Sequence, residues 1–170
     1  EKLREALTRC QSAIFFSATM TPIVYFQQIF GCEPAARSRV LPSPFPREHL
    51  CLLIANRIST LYKHRQHTIP EVTQAILALV QQKQGNYLLF FPSYQYMRMI
   101  HEAFTDQAPE TDVIIQTFGM REDEREQFLN RFAHDNPETL VGFAVMGGIF
   151  GEGIDLVGDR LTGAVIVGVG

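Results

Sequence analysis

The chain has 170 residues, enough for one domain with a substantial core. Its 46% hydrophobic and 19% charged residues exclude an intrinsically disordered segment, and no apolar run approaches the roughly 20 residues needed to span a bilayer. The net charge of −3 leaves no basic footprint over the whole chain. Arg57, Lys63, His64, Arg65 and His67 nevertheless lie close together, as a strip that meets phosphate or as a solvated loop.

Residues 1–10 are charged and helical in character, unlike a signal peptide. Cys10, Cys32 and Cys51 are scattered without CxxC spacing, which reads as free thiols in a reducing cytoplasm and not as a metal site. The run Ala-Ile-Phe-Phe at 13–16 predicts a buried strand. Thr21-Pro22 then opens a helix that Gly31 closes. Residues 41–46 are proline-rich and extended, and 50–55 read as a second buried strand.

Thr68-Ile69-Pro70-Glu71 starts a helix with Val72, Ile76, Leu79 and Val80 on its apolar face, ended by Gly85. Residues 87–91 form a strand without polar alternation, so both its faces are covered. Ser93 caps a helix whose inner face is Met97, Ile100 and Phe104. A strand at 113–115, an amphipathic helix at 121–132 with Phe128, Leu129 and Phe132 inward, and strands at 140–145 and 164–169 complete the chain. Such alternation predicts an α/β fold: a mostly parallel sheet with helices on both faces, a three-layer sandwich in one domain over 1–170.

Chemistry in that architecture gathers at the carboxyl ends of the strands. Gly147-Gly148-Ile149-Phe150-Gly151-Glu152-Gly153-Ile154-Asp155 is the most informative stretch there. Its Gly148-x4-Gly153 spacing imitates a phosphate loop, but Ile154-Asp155 follows where Lys and Ser/Thr would be needed. A tight structural turn explains the glycines as well. An acid pair flanking a glycine at a strand end favours function. Ser17-Ala18-Thr19 reads as a turn with a cap or as a hydroxyl-bearing hinge. Pro92-Ser93-Tyr94 reads as a helix cap or as a phosphate site with an exposed ring that stacks a base. His64 and His67 share i, i+3 spacing without a third ligand, so no metal site is expected.

Taken in order, these segments resemble a known family. Phe16-Ser17-Ala18-Thr19-Met20-Thr21-Pro22, with Phe26 and Phe30-Gly31, resembles motif III of the DinG/XPD (Rad3-type) helicases of superfamily 2. Leu89-Phe90-Phe91-Pro92-Ser93-Tyr94, with Met97, is similar to their motif IV. Residues 147–155 with Gly158-Asp159-Arg160-Leu161 and Val165-Ile166-Val167-Gly168 are similar to motif V and its following strand. Gly151 departs from the pattern, because the family commonly has Ser there.

The resemblance implies the second RecA-like motor domain of an ATP-dependent DNA helicase. It implies ATP and Mg²⁺ shared with a first motor domain, single-stranded DNA as partner, and a monomeric, cytoplasmic fragment ending before motif VI and inactive alone. Whether an iron–sulfur cluster accompanies it is left open, as that would lie outside these residues. By the same resemblance Glu152, Gly153 and Asp155 face or read the nucleotide. Ser17, Ala18 and Thr19 couple hydrolysis to domain closure, and Ser93, Tyr94, Arg98, Gln116 and Thr117 contact DNA. Two competing readings are a nucleotide-independent α/β interaction module and a small-molecule enzyme domain that binds phosphate.

Overall fold

Strands covered on both faces carry no polar alternation, and β1 (Asn86–Phe91) and β3 (Leu140–Val145) have this form, buried almost throughout. The shorter β2 (Asp112–Ile115) and β4 (Gly163–Ile166) lie at the edges and are only partly buried. The four pair in the order β2-β3-β1-β4, every pair parallel. The computed structural model describes residues 2–33, 35–151 and 153–168. The chain divides into two compact units, residues 1–52 and 53–170, and the sheet belongs to the second.

Three helices complete that second unit: α3 (Ile69–Val80), α4 (Tyr94–Gln107) and α5 (Glu122–Asn130). The connection from β1 to β2 passes β3 in one direction, and that from β2 to β3 returns in the other. Crossovers of one hand must then lie on opposite faces of the sheet, and the core divides accordingly. Val72, Ile76 and Val80 of α3 and Met97, Ile100 and Phe104 of α4 pack with Tyr87, Leu89, Phe91, Val141 and Phe143. On the other face Phe128, Phe132 and Phe150 cover Leu88, Leu140 and Ala144. This is the RecA-like three-layer sandwich expected from the alternation of elements. Phe143 sits at its centre, stacked on Phe91 at 5.9 Å and met edge-on by Phe104 and His101. Complete burial of such a ring stabilises by about 1.5–3 kcal/mol.

Local signals behave unevenly. Ser93 caps α4, its Oγ accepting the Tyr96 N–H at 3.3 Å. Thr68 precedes α3, with proline in the first turn, but its hydroxyl donates to Ser59 O at 2.8 Å instead of capping. That helix ends at Val80, before Gly85, and Leu77 is buried on its inner face where Leu79 is only partly so. Gly142 is enclosed: a Cβ there would lie 2.6 Å from Phe132 Cζ.

The first unit holds α1 (Lys2–Leu7) and α2 (Ile23–Phe30), the latter closed by Gly31 at φ +66°. Pro22 occupies the cap position of α2 and no side chain caps it. The two expected strands at 13–16 and 50–55 are absent. Both stretches are irregular, with Ile14 86% and Phe16 90% exposed and 50–55 exposed throughout. Their apolar composition matches a buried strand, but a strand also needs a hydrogen-bonded neighbour, and neither joins the sheet. Phe15 alone finds a partner in its unit, stacking on Phe30 at 4.5 Å.

Candidate nucleotide and nucleic-acid site

Because all four strands are parallel, their carboxyl ends share one edge. From β1 the chain turns onto the α4 face. From β2 and β3 it turns onto the opposite face, where Phe128, Phe150, Ile154 and Leu156 pack. Adjacent strands whose connections part in this way leave a crevice between their ends, the usual ligand position in open α/β sheets. The segments 92–94, 116–120 and 146–155 meet that edge.

The glycine-rich segment leaves β3 through tight turns. Gly147 and Gly153 have φ of +71° and +70°, a region that L side chains rarely adopt. The Gly151 N–H donates to Gly148 O at 2.8 Å. A Cβ at Gly151 would lie 3.1 Å from Gly147 Cα, which gives a physical reason for glycine at that position. Phe150 anchors the loop by packing on Phe128 at 4.5 Å. Arg125 of α5 then clamps it, Nε donating to Ile149 O at 2.8 Å and Nη2 to Gly153 O at 2.9 Å. Glu122 holds the same guanidinium at 2.8 Å. Glu152 lies outside the described residues. Asp155 is exposed at the loop exit and makes no hydrogen bond or ion pair with another described residue.

A second cluster joins the ends of β1, β2 and β3. Gln116, only 3% exposed, donates from Nε2 to the Tyr94 hydroxyl at 2.8 Å and accepts the Val145 N–H on Oε1 at 2.8 Å. Two residues read separately from the sequence are thereby brought into direct contact. Phe118, 81% exposed, meets the Tyr94 ring edge-on at 5.6 Å. Arg98 follows Tyr94 by one turn of α4, on the same side of the helix, exposed and without an ion pair to a described residue. Thr117 is exposed beside Phe118.

Behind the cap of α4, the Arg65 guanidinium lies 4.8 Å from the Tyr96 ring centroid and 5.6 Å from that of Tyr62, and Nε donates to Thr60 O at 3.1 Å. Burial holds the Tyr96 phenol above the ordinary 10.0, against the opposing charge of Arg65. His64 Nδ1 lies 2.8 Å from Ser59 Oγ. Two members of the basic strip therefore have internal partners.

In the first unit Ser17, Ala18 and Thr19 form an exposed turn. The Thr19 N–H donates to Ser17 Oγ at 3.1 Å, and the two hydroxyls lie 3.2 Å apart.

Sequence reading missed Arg125 and Phe118. Arg125 shows only an i, i+3 pair with Glu122, and nothing local tells that it reaches Gly153. Phe118 carries a faint signal, a large ring among turn residues at a strand end. Among the described residues no group of three or more His, Cys, Asp or Glu is arranged to hold a metal ion. No helix among them is long and apolar enough to cross a membrane.

The chain is 24% identical over 132 residues, 75% of its length, to a probable ATP-dependent helicase of Methanocaldococcus jannaschii. It spans about a fifth (19%) of that relative. The model of the helicase C-terminal domain family matches residues 76–170, which carry the sheet, α4, α5, the glycine-rich loop and the Tyr94–Gln116 cluster. More than half of the chain is matched, and the chain belongs to the helicase C-terminal domain family.

Proposed function

We propose that this chain is the second motor domain of an ATP-dependent DNA helicase of the DinG/XPD kind, completing an ATP cleft with a first motor domain and gripping single-stranded DNA. One observation carries the reading. Within the family-matched residues, Asp155 stands exposed and unpaired to any described residue at the exit of a loop whose shape Arg125 fixes independently. A carboxylate that supports nothing internal, on a preorganised loop at the ligand-binding edge, is placed to answer an external charge.

In this mechanism Glu152, Gly153 and Asp155 read the nucleotide across the cleft. The loop lacks the lysine of a phosphate cradle, so in this reading the phosphates and Mg²⁺ are held by the first motor domain. Ser17, Ala18 and Thr19 link hydrolysis to domain closure. Ser93, Tyr94, Arg98, Gln116 and Thr117 form the strand track, Ser93 and Arg98 toward phosphate and Tyr94 toward a base, with Gln116 holding Tyr94 in place. Alternate closing and opening of the cleft steps the strand along.

Asp155→Asn tests the reading in the full-length protein. The substitution keeps size and removes charge, and no internal contact to a described residue is lost. DNA-stimulated ATP turnover and unwinding should fall at least roughly tenfold, about 1.4 kcal/mol of barrier, with the melting temperature unchanged. Parental turnover in that variant sinks the assignment of the loop.

A further inference from the structure

Phe118 has no packing reason to be a phenylalanine. Every other phenylalanine of residues 53–170 is buried or half-buried, whereas Phe118 is 81% exposed. It sits on the short connection between β2 and α5. Its neighbour Gly119 has φ +74° and nothing within 4 Å of a Cβ built there, so the connection is not packed around the ring. The Phe118 ring meets the Tyr94 ring, edge to face at 75°. Tyr94 is itself tied down by Gln116, which is buried and fixed in turn by the Val145 N–H. A solvated ring is thus held against a rigid support at the carboxyl edge of the sheet, one helical turn from the exposed cation Arg98.

We infer that Phe118 is a base-stacking residue: with Tyr94 it forms an aromatic platform that takes one unpaired nucleobase of a single strand, while Arg98 meets the adjoining phosphate. The inference rests on the reading of this domain as one that binds single-stranded DNA. The chemistry fits an unpaired base. An edge-to-face pair leaves at least one face of the outer ring open, every nucleobase presents a π-face, and a preorganised ring loses little freedom on stacking. Neither ring offers a donor or acceptor set that reads base edges, because the Tyr94 hydroxyl already accepts from Gln116. The platform therefore tolerates any sequence. A paired base has both faces covered by its neighbours and is refused.

The test uses the full-length protein and an oligothymidylate bearing a single 2-aminopurine, whose fluorescence reports stacking. Phe118→Ala should weaken affinity roughly five- to hundredfold, the range of one stacked base, and abolish the fluorescence change on binding. Phe118→Tyr should retain both. Since the ring is exposed, neither variant should lower the melting temperature. If Phe118→Ala binds within twofold of the parent with the same fluorescence change, the platform is wrong. Should Tyr94→Ala and Arg98→Gln still weaken binding in that case, the single-strand reading survives alone; should they not, it falls as well. A loss of thermal stability in Phe118→Ala without loss of affinity makes the ring a contact with another domain and also overturns the inference.

Discussion

Gln116 is the joint on which the edge cluster depends, and its removal has a calculable cost. Gln116→Leu roughly preserves side-chain volume but deletes both polar atoms. The Val145 N–H, buried at the end of β3, then loses its acceptor. An orphaned buried donor costs about 1–3 kcal/mol. The half-buried Tyr94 hydroxyl can turn to water, so its lost bond costs only the net worth of a hydrogen bond, about 0.5–1.5 kcal/mol. Together the two losses cost about 1.5–4.5 kcal/mol. Tyr94→Phe leaves the buried Gln116 amide N–H without its acceptor and should cost about 1–3 kcal/mol. Urea unfolding of the parent, both single variants and the double variant closes a cycle, read as midpoint shifts at constant slope. The two residues touch, and without Gln116 no donor is left to be orphaned, so the double variant should fall short of additivity by about 1–3 kcal/mol. Strict additivity, or a Gln116→Leu midpoint within about 0.5 kcal/mol of the parent, would refute the view that Gln116 positions Tyr94.

Two further outcomes follow from the side chains around the same edge. Arg125→Lys keeps the charge but loses the planar fork that reaches Ile149 O and Gly153 O together, so backbone amides of residues 147–155 should exchange hydrogen several-fold faster; unchanged protection would mean that the loop holds its own shape. Burial against Phe143 lowers the His101 pKa below the ordinary 6.5, with Glu102 opposing, so the unfolded chain binds the proton more readily. Stability linked to His101 is therefore fully present above pH 6.5 and is lost as the pH falls through the lower folded value. His101→Gln should flatten that part of the melting profile, and an identical profile in the variant would show that His101 does not titrate differently on folding.

How far the sequence led depended on whether a signal was self-contained. The runs at 87–91 and 140–145 are flanked by helical periodicity, and α4 advertises both its cap, Ser93, and its inner face. These elements appear where expected. The apolar runs at 13–16 and 50–55 looked equally strand-like. Pairing is a property of two segments, however, and nothing within a single run says whether a neighbour will be there. The same division governs the site. Glycines and an acid at a strand end, and a serine followed by an aromatic ring, are legible as local chemistry. The hydrogen bond between Gln116 and Tyr94 spans 22 residues and the clamp from Arg125 to Gly153 spans 28, so both required the fold.

Net charge alone says little about this edge, for a related reason. The −3 total seems to argue against a strand of phosphates, yet charges act over about a Debye length, roughly 8–10 Å at physiological salt, and not over a whole chain. The acids at the start of α5 are spoken for locally. Glu122 pairs with Arg125, Asp123 and Glu124 pair with Arg121, and all three favour the positive end of their own helix. Arg98 has no such partner among the described residues, and it lies one turn of α4 beyond Tyr94. On the proposed reading, a strand approaching this edge meets the paired carboxylates of α5, two aromatic rings and the Arg98 guanidinium, with Asp155 left exposed at the glycine-rich loop. That local field, and not the total, decides whether a phosphate is attracted.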